Sequence, residues 1–569
     1  MSIRLSAVES KEVKMFKKKP SPLLGTVWII VFVAFMAGCA KSQSGTSLVS
    51  GIVTDSRDAP VHGSVVGARN LETGVTTFTL TDTRGEFQIP QLGQGRYQIS
   101  IEKQGYRPDT SGLNIDGPRK VINVKLVSLS IVPVSQITNV DFDRYLPNDP
   151  GKRAVIRICG QCHSLRNPFM KEGRSRPEWA ELTERMLAGV VWSGPDNFTE
   201  LDRDLIVDYL AKHHGPGSTL PQELGEKVKN GPQNDFSIGH DLIFREYDIP
   251  QPPPGPLDTS AQHGRGRMRR GTSGSHTAAP DQSGSVWFTE VDGKKIGRLQ
   301  INTGKVTEYP LQTPGVAPHG ITVGPDGIVW YAGYPSVLGR IDPKTETVEE
   351  IPVPDMDNGS PTMPHSVIVA RDGKVWLTES DRMGQEHGSV SSYNPVTRQF
   401  NRFLLEIGDS PYGIIEHQGL IWFALIRPGK IGRLDPKTGV MQTFTTPTKN
   451  SAVRRLRFDP KGRLWFGEWG TDKIGMFDPA TEQFTEYDLP FPSSPYGVFT
   501  DRRGYVWVAT HARDSLIRFD PEKKEMLEYP LPLGSIIRDI WPDQEGRMWF
   551  ISGWLRDKVG SAEQVPSTN

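Results

Sequence analysis

Cysteine is scarce in this sequence, with three residues among 569, which excludes a disulfide-rich scaffold. Net charge is absent as well, because 66 Lys and Arg balance 66 Asp and Glu, so bulk charge attracts the chain neither to nucleic acid nor to an anionic membrane. By contrast, 58 Gly and 46 Pro predict many turns and therefore many short strands. The length suggests about three to four domains, and 36% hydrophobic with 23% charged residues is typical of a soluble, folded protein.

The N-terminal segment carries a long apolar run, residues 23–38, which follows a lysine-rich stretch and ends in small residues. This order is typical of a secretory signal. The run ends Met36-Ala37-Gly38-Cys39, which resembles the bacterial lipobox and implies that residues 1–39 are a lipoprotein signal peptide and that Cys39 is lipidated. The alternative is a transmembrane anchor, although about 16 apolar residues are short for a span of roughly 20. We expect an exported, lipid-anchored protein that faces the periplasm. In lipoproteins an Asp after the cysteine goes with retention at the inner membrane, so Ala40 at that position implies the outer membrane.

Residues 46–130 alternate apolar and polar side chains in short runs between turn residues, which predicts a β-sandwich of about seven strands. The pattern Gly51-x-Val53-x-Asp55, Gly85-x-Phe87, Gly95-x-Tyr97 and Gly105-Tyr106 resembles the carboxypeptidase regulatory-like family. That resemblance implies an immunoglobulin- or transthyretin-like fold without catalysis. We expect a spacer or docking domain, with sugar binding as the alternative.

The sharpest chemical motif is Cys159-Gly160-Gln161-Cys162-His163, because C-x-x-C-H is the attachment signature of c-type haem. Two thiols at this spacing bond the two vinyl groups of haem, and the adjacent imidazole ligates the iron. A zinc site would need two further ligands, a thioredoxin-like pair would need a βαβ context, and a disulfide would give His163 no role. The motif therefore predicts covalent haem c held by Cys159, Cys162 and His163.

Helical patterns surround this motif within residues 140–216. They occupy residues 149–160, a segment that starts at Arg176, and residues 199–213, whose apolar face we expect to contain Leu201, Leu205 and Tyr209. This order resembles a compact single-haem cytochrome c domain, in which helices fold over both faces of the ring.

The distal ligand of the haem iron is the open question in this domain. Met186 lies on the apolar side of the middle helix, so its thioether is our candidate ligand. Core packing is the ordinary role of such a methionine. Met170 also competes for this place, as do His213 and His214, which we expect to face solvent at the end of their helix. An iron without a distal ligand completes the set of hypotheses.

The second half of the chain is a repeat array. An Ile-Gly-Arg triplet or a relative of it follows several of the repeated tryptophans, and an Asp-Pro turn comes next. A repeat of about 40–45 residues with four short strands is the signature of a propeller blade. The last repeat lacks an outer strand, which residues 243–250 match, so we expect the two ends to pair and close the ring. The seven tryptophans, which predict a seven-bladed β-propeller over residues 236–562, are Trp287, Trp330, Trp376, Trp422, Trp465, Trp507 and Trp549.

Alignment of the repeats on tryptophan predicts which side chains line the propeller axis at one level. Buried charge at such positions is costly unless it is paired or used. Ligand binding in the central mouth is the functional interpretation, and internal ion pairing is the alternative. Eleven residues before each tryptophan, or ten in the fourth repeat, stand His276, His319, His365, Tyr412, Arg454, Tyr496 and Arg538. Three residues after it stand Glu290, Glu379 and Glu468, which we expect close to this ring.

This half resembles the virginiamycin B lyase (streptogramin lyase) family through Pro318-His319-Gly320-Ile321, Pro364-His365-Ser366-Val367 and Trp465-Phe466-Gly467-Glu468-Trp469. The resemblance implies a propeller that opens a cyclic depsipeptide by elimination, with Mg²⁺ and a histidine base. It also implies catalytic roles for His319, His365 and Glu379. Met363 stands where that family has a further glutamate.

The sequence thus predicts a mainly β, multidomain chain: sandwich, small α-helical cytochrome c domain and propeller. Our first functional hypothesis is an exported haem c electron-transfer protein, part of a periplasmic oxidoreductase, whose propeller binds a small-molecule substrate or a redox partner protein. The alternatives are a streptogramin lyase-like carbon–oxygen lyase and a non-catalytic surface binder. A divalent metal held by His276, His319 and His365 with Glu290 or Glu379 is a further expectation; nucleic acid is not an expected partner.

Overall fold

The structure is a computed structural model that describes residues 46–160, 165–188, 200–231, 238–251, 273–357, 359–380, 387–553 and 556–565. The predicted signal peptide and its Cys39 lie outside these ranges, as do Cys162 and His163 of the haem motif. The described residues from Ser47 onward form one unit of contacts. Among the helices so described, none has the length and apolar character needed to cross a membrane.

Eight strands build the N-terminal sandwich. They are β1 (Ser47–Asp55), β2 (Val65–Asn70), β3 (Thr76–Leu80), β4 (Glu86–Leu92), β5 (Gly95–Glu102), β6 (Asp109–Ile115), β7 (Arg119–Val121) and β8 (Val124–Leu126). One sheet joins β4, β1, β7 and β8, and the other runs β3-β2-β5-β6. The alternating side chains Tyr97, Ile99 and Ile101 of β5 are buried between the sheets, as the period of two in the sequence predicts.

The sandwich and the second half of the chain share one sheet, which the sequence did not predict. Strand β9 (Leu242–Asp248) pairs with β3 along one edge and with the last strand of the chain along the other. Phe78 of β3 stacks on Phe244 of β9 with ring centroids 4.9 Å apart. Asp248 forms ion pairs with Arg69 of the sandwich and with Lys558 of the last strand. Both sides of β9 are therefore paired, which leaves it no free edge.

Helices occupy the described residues between these two regions. They are α1 (Asn139–Tyr145), α2 (Lys152–Ala154) with a π-helical turn (Val155–Cys159), α3 (Arg166–Phe169), α4 (Arg176–Ala188), α5 (Glu200–His213) and α6 (Leu220–Asn230), preceded by a 3₁₀ turn (Val134–Gln136). Their common core contains Trp179 of α4 and Ile206, Tyr209 and Leu210 of α5. The predicted apolar face of α5 is thus displaced, because Leu205 is only partly buried and Ile206 takes its place.

Gly151 allows the start of α2 to cross α5 closely. A Cβ atom at this position would lie 2.2 Å from the carbonyl oxygen of Leu205, and the backbone φ of 91° is one that L side chains rarely adopt. The segment that leads to Cys159 is therefore held against α5 through the backbone, as expected for helices that pack around one small core.

The second half of the chain is propeller-like. Six sheets of four antiparallel strands follow one another, and β34, β35 and β36 form a further group of four with β9. The register from Lys558↔Asp248 to Gln564↔Leu242 confirms the expected pairing of the two ends. The strands are β10 (Ser275–Pro280), β11 (Ser285–Glu290), β12 (Lys295–Gln300), β13 (Val306–Pro310), β14 (Ala317–Val323), β15 (Val329–Tyr334), β16 (Val337–Asp342), β17 (Thr347–Pro352), β18 (Met363–Val369), β19 (Val375–Ser380), β20 (His387–Asn394), β21 (Gln399–Ile407), β22 (Ser410–His417), β23 (Leu420–Arg427), β24 (Lys430–Leu434), β25 (Met441–Thr445), β26 (Val453–Phe458), β27 (Leu464–Glu468), β28 (Lys473–Asp478), β29 (Gln483–Asp488), β30 (Pro495–Thr500), β31 (Val506–Thr510), β32 (Ser515–Asp520), β33 (Glu525–Pro530), β34 (Trp541–Pro542), β35 (Met548–Ser552) and β36 (Lys558–Gln564).

The repeated tryptophan lies on the second strand of each sheet and is buried there. In four repeats an aspartate six residues earlier accepts a hydrogen bond from the indole nitrogen, as Asp459 does from Trp465 at 3.0 Å. In the third repeat Ala370 stands at that position, and the buried Nε1 of Trp376 has no hydrogen-bond partner. The repeats therefore share their packing but not their full set of polar contacts.

Candidate functional site

The inner strands bring the aligned ring residues together. His276 of β10, His319 of β14 and His365 of β18 form a stack of tilted rings, with centroids 3.8 and 4.0 Å apart and 45° between successive ring planes. Tyr412 of β22 continues this stack at 3.7 Å from His365, with a tilt of 36°. Because each residue starts an equivalent strand, the repeat itself places these side chains at one level.

The other half of the ring is aromatic and cationic. The hydroxyl groups of Tyr412 and Tyr496 contact each other, and Tyr496 lies edge-on to His276 at 6.4 Å. The guanidinium of Arg454 lies 4.7 Å from the Tyr412 ring and 5.2 Å from the Tyr496 ring. Arg538 is buried near His276 and contributes to lowering its pKa. The ring thus combines three imidazoles, two phenols and two guanidinium groups.

Burial and positive charge keep the imidazole of His276 neutral. His276, His319 and His365 are only 3%, 1% and 2% exposed. Burial is the main cause that holds the pKa of His276 well below its usual range, and His319, Arg538 and Arg455 act in the same direction. Nδ1 of His276 contacts the hydroxyl of Thr277 at 2.9 Å, and Nδ1 of His365 contacts that of Ser366 at 3.0 Å. A neutral imidazole is the form that can accept a proton.

The three glutamates expected near the ring have polar neighbours within their own sheets. Glu379 accepts hydrogen bonds from Arg402 of β21 at 2.9 Å and from Ser389 of β20 at 3.4 Å. Glu468 accepts a hydrogen bond from the hydroxyl of Thr471 at 3.0 Å. The position in the repeat does not reveal these neighbours, and a place for the glutamates beside the ring stays a prediction.

Glu290 and Glu468 each have a second carboxyl as neighbour. Burial, and then the charge of Glu308, raises the pKa of Glu290 to about 8. Burial, and then Glu486, raises the pKa of Glu468 to about 8. Both carboxyl groups therefore favour the protonated form near neutral pH.

The described residues do not fit the Mg²⁺ site that the family resemblance implies. Mg²⁺ is held in proteins mainly by carboxylate oxygens and water. Here Glu379 is ion-paired with Arg402, and the buried Met363 offers a thioether where the family has a carboxylate. Among all described side chains, no group of three or more His, Cys, Asp or Glu is arranged to hold a metal. The described arrangement therefore gives no support to a metal on His276, His319 and His365 with Glu290 or Glu379, which stays a prediction.

Two residues that the repeat alignment missed also adjoin the ring. Trp469 and His511 each stand four residues after a repeated tryptophan, one position beyond those we compared. Trp469 donates from Nε1 to Nδ1 of His511 at 3.4 Å, and Arg454 lies 4.0 Å from the Trp469 ring. Burial, then Arg538 and Arg454, keeps the pKa of His511 well below its usual range. Comparison at this next position would have found both.

The haem motif is described only at its first residues. Cys159 ends the π-helical turn after α2 and is partly buried, whereas Cys162, His163 and the side chain of Met186 lie outside the described residues. His214, which we expected in solvent, is buried: its Nε2 lies 3.2 Å from the carbonyl oxygen of Pro168, and its ring packs on Phe169.

The helical region docks close to the ring. Asn139 of α1 donates from Nδ2 to the carbonyl oxygen of Ala512 at 2.8 Å, and its Oδ1 accepts from the backbone N–H of Leu165 at 3.0 Å. Leu165 stands two residues after His163 in the sequence, and Ala512 follows His511. Arg166 forms an ion pair with Asp514 at 3.6 Å. One side chain therefore bridges the motif segment and a neighbour of the ring.

Comparison with known proteins agrees with two of the expected domains. Residues 48–127 match the model of the carboxypeptidase regulatory-like domain, and residues 255–519 match that of the virginiamycin B lyase family. A virginiamycin B lyase from Nocardia farcinica is 26% identical over 191 residues, which are 33% of this chain and 61% of that protein. The chain thus spans less than two thirds of that relative.

Two solved lyase structures resemble part of the chain at low overall similarity. A streptogramin B lyase structure is 22% identical, with a TM-score of 0.47, and the match covers 57% of this chain and 98% of that one. A virginiamycin B lyase from Staphylococcus aureus has the same identity and TM-score, with coverage of 57% and 100%. The chain carries a carboxypeptidase regulatory-like domain and a virginiamycin B lyase-like β-propeller. Residues 128–254 lie outside both family matches.

Proposed function

We propose that the second half of this chain is a seven-bladed propeller whose ring is an acid–base site of the lyase type. The observation that carries the proposal is the stack of His276, His319 and His365 at equivalent strand starts, inside the region that matches the virginiamycin B lyase family. Seven groups of four strands, the last completed by β9, support the blade count. The proposed reaction is elimination at an ester of a cyclic depsipeptide.

His365 is the proposed base. If Nδ1–H donates to Ser366, Nε2 carries the lone pair and takes the proton next to the ester. The electron pair of that C–H bond forms a C=C bond while the carbon–oxygen bond breaks, and the carboxylate leaves with the electron pair of the broken bond. The cationic Arg454 stabilises negative charge that develops on the substrate. Arg454 thus takes the place of the Mg²⁺ ion as the source of positive charge, because the residues present do not fit that ion.

The experiment is incubation of the purified protein with virginiamycin B, followed by chromatography and mass spectrometry. Elimination opens the ring without adding water, so the linear product keeps the mass of the substrate, whereas hydrolysis adds one water. We expect conversion by the wild type and a loss of about 100-fold or more in His365→Ala. His417→Ala is the matched control, because His417 stacks on Phe458 away from the ring. A wild type that converts nothing, or a His365→Ala variant with full activity, would overturn the proposal.

A second candidate function is haem c electron transfer in the helical region. The specific observation is the bridge from Leu165 through Asn139 to Ala512, which ties the residue two positions after His163 to the neighbour of His511. Two cysteine thiols and an imidazole are the donor set that haem c needs, and the close crossing at Gly151 packs the segment that leads to Cys159. Cys159 and Cys162 would hold haem by thioether bonds, His163 would ligate the iron, and Met186 is the distal candidate. Haem would supply one-electron transfer to a redox partner or to a substrate in the ring.

The test is a visible spectrum, oxidised and then reduced with dithionite, of protein expressed in a periplasm that matures c-type haem. Sharp reduced bands that survive denaturation are expected, and Cys162→Ala should lose them. A colourless, folded wild type would contradict this function while leaving the ring proposal intact. Export and lipidation at Cys39 belong to the same proposal, since covalent attachment of haem c takes place after export; incorporation of labelled palmitate that disappears in Cys39→Ser tests them.

A further inference from the structure

Buried arginines lie next to the ring, where the guanidinium carbon of Arg455 is 5.3 Å from the centre of the Tyr412 ring. Arg455 and Arg457 of β26 are both buried, as is Asp539. Nε of Arg455 lies 3.2 Å from Oδ2 of Asp539, and Nη2 of Arg457 lies 3.4 Å from Oδ1 of the same carboxylate. Asp539 is the acidic group that acts on both guanidinium groups. Two cations and one anion leave a net positive charge, which is costly in a buried site.

A small cavity opens at this charge cluster. Its lining includes Thr277, Gly320, Ser366, Arg455, Arg457 and Trp541. Its volume is about 10 Å³, roughly the room that one water-sized particle needs. The cavity therefore has room for one small particle and not for a polyatomic anion such as sulfate. Its remaining lining is aliphatic and consists of Ile321, Val367, Ile368 and Ile414, besides Asp539.

The donors of Arg455 point to the charge of the occupant. Nη1 donates to the hydroxyl of Ser366 at 2.5 Å, and Nε faces Asp539. Nη2 is buried without a hydrogen-bond partner. Asp539 also lines the cavity, but its oxygens are engaged by Trp541 Nε1 at 3.1 Å, by the Ile540 N–H at 3.0 Å and by Arg457. The unmatched group in the cavity is thus a cationic donor.

We propose that this cavity binds a small monovalent anion of the size of chloride, held by Nη2 of Arg455 and the hydroxyls of Ser366 and Thr277. One negative charge neutralises the excess of one positive charge, and the anion gives Arg455 its missing acceptor. The site lies next to the catalytic candidates, because Ser366 and Thr277 also contact Nδ1 of His365 and His276. An anion there offsets the charge of Arg455 that keeps His276 neutral.

The experiment starts from full-length protein exchanged into halide-free gluconate buffer. Chloride or bromide is added at constant ionic strength, and the unfolding midpoint is followed. Because a ligand that binds the folded state stabilises it by mass action, we expect a saturable rise with halide and none with sulfate. In Ser366→Ala the halide concentration for half the effect should rise about tenfold. Arg518→Met is the matched control, since Arg518 pairs with Asp241 away from the cavity, and its halide response should equal that of the wild type.

Crystals of the wild type soaked in bromide keep the test independent of any variant that fails to fold. The proposal requires an anomalous peak within hydrogen-bond distance of Nη2 of Arg455. A water in the cavity with no anomalous signal would overturn it. So would bromide peaks at surface positions alone, or a halide response that persists unchanged in Ser366→Ala.

Discussion

Replacing Asp459 by Ala should destabilise the propeller, and placing Asp at Ala370 should stabilise it. Both residues stand six positions before a repeated tryptophan. Both start the same turn: Asp459 N–H donates to the carbonyl of Arg463 at 2.9 Å, and Ala370 N–H donates to that of Lys374 at 2.9 Å. An aspartate at position 370 would therefore place its carboxylate beside Trp376 as Asp459 does beside Trp465.

The magnitude follows from the bonds of Asp459. Its carboxylate accepts from Trp465 Nε1 at 3.0 Å and from the backbone N–H groups of Lys461 and Arg463 at 2.9 Å each. Its loss leaves a buried indole N–H unsatisfied, which costs about 1–3 kcal/mol, and removes two turn bonds worth about 1 kcal/mol each. We expect Asp459→Ala to cost about 3–5 kcal/mol. Ala370→Asp should gain about 1 kcal/mol, because desolvation of the new carboxylate offsets part of its bond to Trp376.

Urea unfolding followed by tryptophan fluorescence measures both changes, and pH provides a sign check. Burial raises the pKa of Asp459, but the bonds from Trp465 and Arg463 outweigh it, so the pKa lies below its usual value. A depressed carboxyl pKa stabilises the fold above the unfolded pKa and stops doing so as pH falls through the folded value. The cost of Asp459→Ala should therefore shrink below about pH 4. A cost under about 1 kcal/mol, or a destabilising Ala370→Asp, would refute the reasoning.

Three further predictions concern other contacts. Asn139→Ala removes two buried hydrogen bonds between the helical region and its neighbours, which should lower the free energy of unfolding of the helical region by about 2–4 kcal/mol. Calorimetry should therefore show that region unfolding at a lower temperature, and an unchanged transition would contradict this. Arg402→Met leaves the buried carboxylate of Glu379, whose pKa burial already raises, without its ion-pair partner. Urea unfolding at pH 8 should therefore show a free energy of unfolding about 3–5 kcal/mol lower than in the wild type. That loss should become smaller as pH falls and Glu379 takes up a proton, so an equal loss at pH 8 and at pH 5 would argue against a charge effect. Because the pKa of Glu290 is raised from 4.5 to about 8, wild-type stability should fall as pH rises across that window, and Glu290→Gln should flatten the fall; an identical slope would contradict the assignment.

The repeat made the ring predictable. Seven tryptophans set the alignment, and residues at one offset, such as His319 and His365, must lie at one level if the repeats are equivalent. The same periodicity predicted that the first and last strands of the propeller pair, because residues 243–250 have the pattern of the outer strand that the last repeat lacks. These successes use only local pattern and symmetry.

Contacts between distant segments were not predictable in this way. Glu379 turns to Arg402 because that cation lies on the outer strand of the same sheet, and the offset from tryptophan carries no such direction. The pairing of β3 with β9 depends on two generic strand edges that meet only in the folded chain. His214 was assigned to solvent from its place at a helix end, but α4 and Phe169 cover it. The partnership of Arg455 with Asp539 joins different repeats and has no sequence signal.

The measurement that tests the central claim most directly is the rate of virginiamycin B ring opening in excess EDTA and in excess Mg²⁺. The account predicts conversion at equal rates, because Glu379 is ion-paired, Met363 replaces a carboxylate, and Arg454 supplies the positive charge. Activity that disappears with EDTA and returns with Mg²⁺ would contradict the account, as would no conversion under either condition.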